Sequence, residues 1–176
     1  MEKNLLTLAK EAQPHLGSLI VAAKINGEIR DIQTSCTDAD EISFVELNSA
    51  LGWSIYRRSV LFLLIAAVHK LDNNAEVIAK FTVNKGLYCE IKIPAGELDP
   101  SFIKEIEDRM GDMIAANIPI EKRSIPRQEA INLFQKLGRE GKVNLLSALS
   151  NPTISIYTCD GYTDYLYGAM LPETKD

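Results

Sequence analysis

Nine consecutive apolar residues, Val60-Leu-Phe-Leu-Leu-Ile-Ala-Ala-Val68, place the strongest constraint on how this chain folds. A bilayer-spanning helix needs about 20 apolar residues. Here Arg57, Arg58, His69 and Lys70 flank a much shorter run, so it reads as the centre of a buried helix over residues 54–71. A helix that is apolar on every side has to be enclosed by other elements. The 176 residues are enough for that, as one sizeable domain or two small ones. With 46% hydrophobic and 24% charged residues, the composition is that of an ordinary globular protein. The residues Met1-Glu-Lys-Asn-Leu-Leu-Thr-Leu-Ala-Lys-Glu-Ala12 mix charges among the leucines and lack the continuous apolar centre of a signal peptide. No membrane partner is expected.

The enclosing elements can be read from turn and cap signals. Leu5, Leu8, Ala9 and Ala12 recur at helical spacing until Pro14 ends the pattern. Asn26-Gly27 lies between the apolar runs 19–25 and 28–32, which predicts a hairpin, because a type I′ turn requires positive φ at both central residues. A third strand is expected at 42–47, after the turn Thr37-Asp-Ala-Asp40. Beyond the long helix, strands are expected at 76–83 and 87–93. Asp99-Pro100 supplies an N-cap and an N1 proline for a helix running to about residue 116. Residues 118–125 read as an edge strand because Pro119 cannot donate to a central ladder. Helices at 127–137, closed by Gly138, and at 141–149 then precede a last strand at 153–158 and a Gly- and Tyr-rich segment, 159–168. The chain has no repeat and no low-complexity linker.

Chemistry-bearing motifs are sparse. There is no Gly-x-x-x-x-Gly-Lys-Ser/Thr phosphate loop, no Gly-x-Gly-x-x-Gly and no nucleophile elbow. Cys36, Cys89 and Cys159 are too scattered for a disulfide framework or a metal clip, so a reducing cytoplasm is the expected setting and no metal site is expected. Only His15 and His69 could supply imidazole. His69, beside Lys70 near a helix end, suits the helix dipole better than it suits catalysis. A net charge of −5 opposes a broad grip on a nucleic-acid backbone and leaves room only for a local basic patch.

The order of these pieces resembles a known family. Lys24-Ile-Asn-Gly-Glu-Ile29, Ile55-Tyr-Arg-Arg-Ser59, Lys85-Gly-Leu-Tyr-Cys-Glu90 and Cys159-Asp-Gly161 look like the amino-terminal half of threonyl-tRNA synthetases. That half consists of a β-grasp TGS module and an editing domain shared with alanyl-tRNA synthetases. The spellings Tyr56-Arg-Arg-Ser59, Cys159-Asp-Gly-Tyr162 and Tyr167-Gly168 are also similar to the front end of bacterial uridine-kinase-like proteins. In those, the same two modules precede a P-loop nucleoside kinase domain. Either resemblance implies an α+β chain: an abbreviated TGS-like β-grasp module over residues 1–52, then an editing-type α/β sandwich over 53–176. The helix at about Asn4 opens the chain where a complete module has a hairpin first, and Leu171-Pro-Glu-Thr-Lys-Asp176 stops where the relatives continue.

The resemblance also implies where the site lies. In the synthetase editing domain, a His-x-x-x-His pair on the long helix and a Cys-x-x-x-His pair near the end converge on the hydrolytic site. Those positions fall here on Arg58 and Phe62, and on Cys159 and Thr163, so only the cysteine is kept. Phe62 moves no proton and Arg58 stays protonated, which leaves no general base and no catalytic residue. Lys142 and Tyr88 match a lysine and an aromatic of the synthetase pocket. Arg58 offers a fixed fork of donors, and Cys159, Asp160, Tyr162 and Asp164 complete the candidate ligand-binding cleft. The expectation is a non-catalytic accessory region of a uridine-kinase-like protein that binds a small polar ligand or an RNA end beside an appended P-loop kinase domain. ATP and Mg are then expected only in that appended domain. The alternative is a Ser-tRNA deacylase fragment of a threonyl-tRNA synthetase. A third reading is a homodimer formed through an exposed sheet edge.

Overall fold

The computed structural model describes residues 2–84, 86–94, 96 and 98–176. Lys85, which opens the 85–90 motif, lies outside them. Two compact units divide the chain: residues 1–119 with 168–176, and residues 120–167.

In the first unit, β1 (Glu2–Asn4) precedes α1 (Leu5–Ala12), so a short strand stands where the sequence suggested that the chain opens on the helix. Asn4 ends the strand and caps the helix, its side chain accepting from the Leu6 amide at 2.8 Å. The predicted hairpin forms from β2 (Ile20–Ile25) and β3 (Glu28–Arg30), with Asn26 at φ 51° and Gly27 at φ 84°. β1 pairs antiparallel with β4 (Ser35–Thr37), and β5 (Ile42–Glu46) pairs with β2, giving the order β3-β2-β5. The Thr37–Asp40 turn closes through the Asp40 carboxylate, which accepts from the Thr37 amide at 2.7 Å and the Thr37 hydroxyl at 2.8 Å. These bonds hold the Asp40 carboxyl below its usual range.

The apolar run lies in α2 (Ala50–Leu71). This helix starts four residues before the expected position, because Ser49 caps it by accepting from the Gly52 amide at 3.0 Å and donating to the Glu46 carbonyl at 2.6 Å. Its 22 residues are long and apolar enough to cross a bilayer, yet Ile55, Ser59, Phe62, Leu63, Ala66, Ala67 and Val68 are buried inside the unit. One face joins Val21, Ala22 and Val45 of the sheet in a common core. β6 (Glu76–Val83) and β7 (Gly86–Lys92) form an antiparallel pair, and α3 (Pro100–Ala115) begins at the expected Asp99 cap, which accepts from the Phe102 amide at 2.8 Å.

The last residues return to this unit as a strap across α2. Arg58 Nη1 donates to the Ala169 carbonyl at 2.7 Å, the Met170 amide donates to buried Asp31 at 3.0 Å, and the Leu171 amide donates to Ser59 Oγ at 2.9 Å. Farther along, the Thr174 amide donates to the Ile118 carbonyl, and Pro119 bridges to Glu173 rather than opening the next strand.

In the second unit, β8 (Glu121–Pro126), β9 (Thr153–Cys159) and β10 (Tyr162–Tyr165) form one antiparallel sheet in the order β10-β9-β8, which puts β8 at an edge as expected, although Pro119, the reason for that expectation, lies before the strand. α4 (Arg127–Lys136) and α5 (Glu140–Ala148) bury Ala130, Phe134 and Leu146 against Ile154 and Ile156. Gly138, at φ 67°, closes α4. β10 forms inside the Gly- and Tyr-rich segment 159–168, where no strand is expected from the sequence.

Candidate functional site

The seven site residues expected from the sequence divide between the two units. Arg58 and Tyr88 lie in the first; Lys142, Cys159, Asp160, Tyr162 and Asp164 lie in the second.

In the second unit three of these residues, Lys142, Tyr162 and Asp164, build a single polar cluster with Arg139, which the sequence did not single out. Cys159 ends β9 and pairs with Tyr162 across a two-residue turn, in which Asp160 has φ 47° and Gly161 φ 79°. This is the same type I′ geometry as Asn26-Gly27. Because side chains alternate along β10, Tyr162 and Asp164 face the same side and both are buried. Asp164, 4% exposed, is the hub. Its Oδ1 accepts from Lys142 Nζ at 2.9 Å and from the Tyr165 amide at 2.7 Å, and its Oδ2 accepts from the Tyr162 hydroxyl at 3.0 Å.

Arg139 is the residue that was missed. It precedes α5 one helical turn before Lys142, and this i, i+3 spacing of two cations was the available signal. Its guanidinium lies 4.4 Å from the Tyr162 ring centroid, donates to the Thr163 carbonyl at 2.6 Å and stands 4.0 Å from Asp164 Oδ1. Lys142 Nζ also donates to the Tyr165 carbonyl at 3.1 Å.

Burial pushes the Tyr162 phenol strongly upward, and the neighbouring Asp164 charge adds to this while Arg139 opposes it. The phenol therefore keeps its proton and acts as a donor. Beside the cluster, a depression of about 300 Å³ is lined by Gln135, Gly138, Arg139, Glu140, Val143 and Asn144. Two cations around one carboxylate can hold an anion or a carbonyl. The cluster includes no histidine side chain.

The other positions implied by the resemblance are engaged in the fold. Phe62 is fully buried, Arg58 donates to the Ala169 carbonyl, and Thr163 Oγ1 shares a 2.9 Å hydrogen bond with Thr158 Oγ1. Cys159 is 1% exposed. Tyr88 is half-exposed on β7, with its ring stacked on Phe81 at 5.0 Å between centroids. His15 lies in a 3-10 turn (Gln13–His15) and His69 in the last turn of α2. Among the described residues no group of three or more His, Cys, Asp or Glu side chains is placed to hold a metal ion.

The elements define a mixed α/β chain whose second unit carries a lysine- and arginine-bound carboxylate. No family model matches the chain. Individual relatives do. A threonine–tRNA ligase of Syntrophotalea carbinolica is 33% identical over 155 residues, covering 88% of this chain and 24% of the relative. One from Acidithiobacillus ferrooxidans is 29% identical over 170 residues, 96% of this chain and 26% of the relative. One from Francisella tularensis subsp. tularensis is 30% identical over 174 residues, 98% of this chain and 27% of the relative. The chain is homologous to the N-terminal region of threonyl-tRNA synthetases, and it spans about a quarter of the length of the relatives it matches.

Proposed function

We propose that this chain is a binding module of threonyl-tRNA synthetase descent that recognises the aminoacylated end of a tRNA without hydrolysing it. Residues 1–52 correspond in this reading to an abbreviated TGS-like module and residues 53–176 to an editing-type domain. The homology along nearly the whole chain supports the synthetase lineage, and it favours that lineage over a uridine-kinase-like parent.

One observation carries the non-hydrolytic part. The three positions at which the resemblance requires imidazole are occupied by a fully buried phenylalanine, an arginine bound to a backbone carbonyl and a threonine bound to another threonine. Hydrolysis of an ester needs a group that takes a proton from water near neutral pH. Neither the guanidinium nor the hydroxyl does so, and the phenyl ring has no proton chemistry at all. With an overall charge of −5, recognition has to rest on local donors, of which Arg139 and Lys142 are the candidates.

The test pairs two measurements on the 176-residue chain. Incubation with Ser-tRNA(Thr) is expected to leave the ester at its spontaneous rate of loss, while anisotropy of a labelled acceptor-stem minihelix is expected to report saturable binding weakened by Lys142→Met. Deacylation above background would establish the deacylase alternative. A complete absence of minihelix binding would remove the tRNA-end reading.

A further inference from the structure

We propose that the groove between α2, α3 and β7 in the first unit is a binding site for a small flat apolar molecule bearing an anionic group. The proposal is independent of the tRNA-end reading. It begins with a second apolar stripe on α2. Ile55, Ser59, Phe62 and Ala66 face the core, whereas Trp53, Tyr56, Val60, Leu61 and Leu64 recur at three- and four-residue spacing and line this groove. Leu87 and Cys89 of β7 and Met110 of α3 close the other sides. The cavity is about 340 Å³, at the small end of the range for small-molecule sites and too small for a helix or a nucleic-acid stem.

Charge complementarity names the ligand. Among the described lining residues Arg57 is the one that carries a charge, and Trp53 and Tyr56 are the other side chains with N–H or O–H groups. A guanidinium beside an apolar groove is complemented by a carboxylate or phosphate oxygen, which accepts from it in charge-assisted bonds. No described lining residue supplies a negative charge to oppose that anion, since burial pushes the Cys89 thiol up and keeps it neutral. At the mouth, Trp53 is 41% exposed and stacks on Tyr56 at 5.4 Å with 21° between the ring planes. That pair offers a flat face to an aromatic body.

The probes are 2-naphthoate and its neutral analogue 2-naphthalenemethanol, titrated into the 15N-labelled 176-residue chain. The chain has one tryptophan, so the indole N–H signal of Trp53 reports the groove directly, and the Arg57 Nε–H signal reports the proposed contact. Naphthoate is expected to shift both signals saturably and to bind about tenfold more tightly than the alcohol. Arg57→Gln is expected to erase that preference while leaving the alcohol's affinity unchanged. Should that variant fail to fold, Val60→Asp on the exposed side of the groove is expected to erase the preference by repelling the carboxylate. Equal affinity for acid and alcohol overturns the proposal, as does an absence of Trp53 shifts at millimolar probe. Concentration-dependent Trp53 shifts without probe, with light scattering that reports a dimer, would mean that a second copy covers the groove and would overturn it too.

Discussion

At position 168 two requirements fall on one residue. The backbone has φ 103°, which L side chains rarely adopt, and a Cβ there would stand 3.0 Å from the Arg58 guanidinium. Gly168→Ala is therefore expected to strain the backbone and also to displace the donor that holds Ala169, a combined loss of about 2–4 kcal/mol. Gly161, at φ 79° with open space around it, meets only the first requirement, so Gly161→Ala is expected to cost about 1 kcal/mol. Urea unfolding of both variants checks the ranking. The Asp164 cluster gives a second prediction at this scale. Asp164→Ala removes the acceptor shared by Lys142 and Tyr162 and is expected to cost about 3 kcal/mol by the same assay. The Tyr162 phenol is raised above its ordinary value of 10.0, so the folded state favours the protonated form. Its contribution is complete below pH 10 and is lost as the pH rises above that value, when the unfolded chain ionises first. Stability followed by circular dichroism is expected to fall with pH above 10, and Tyr162→Phe is expected to flatten that fall.

At the scale of the element, α2 shows how a helix is fixed in place by its first turn. Ser49→Ala removes one capping acceptor and is expected to cost about 1 kcal/mol. Gly52→Ala would place a Cβ 2.0 Å from the Glu46 backbone oxygen, which cannot swing aside as a side chain can, so a loss of about 3 kcal/mol or more is expected. Thermal unfolding of the pair separates capping from close approach. Those local signals also explain what the sequence made legible. Asn26-Gly27 and Asp99-Pro100 act within four residues, and both the hairpin and the α3 cap formed where they pointed. Asp160-Gly161 carries the same turn signal, but the strand it opens, β10, has only four residues and is too short to show a period. β1 and β4 were invisible for another reason: three-residue strands have no periodicity to read, and their pairing joins residues more than thirty positions apart. The meeting of the Tyr56-Arg-Arg-Ser59 motif with the backbone at 169–171 is likewise a long-range fact. Arg58 and Ser59 hold the Ala169 and Leu171 backbone, a bonding pattern that spacing alone does not encode.

For the molecule as a whole, the question is whether its scaffold retains hydrolysis in some other form. The synthetase relatives match 88–98% of this chain, and at the positions where the resemblance calls for histidine this chain has Arg58, Phe62 and Thr163. Replacing Phe62 with histidine returns the residue type that the resemblance calls for, but Phe62 is fully enclosed in the core of the first unit. An imidazole there is cut off from bulk water, loses its charged form to desolvation and leaves part of the phenyl volume empty. Phe62→His is therefore expected to lower stability by about 2–4 kcal/mol. With Thr163→His added, the double variant is still expected to leave Ser-tRNA(Thr) at its background rate of loss. Chemical denaturation of the single variant and ester hydrolysis by the double one read these out separately. A gain of deacylation in a variant that remains folded would mean that the long helix still presents position 62 to water, and the binding-only reading would give way to a deacylase that two substitutions can restore.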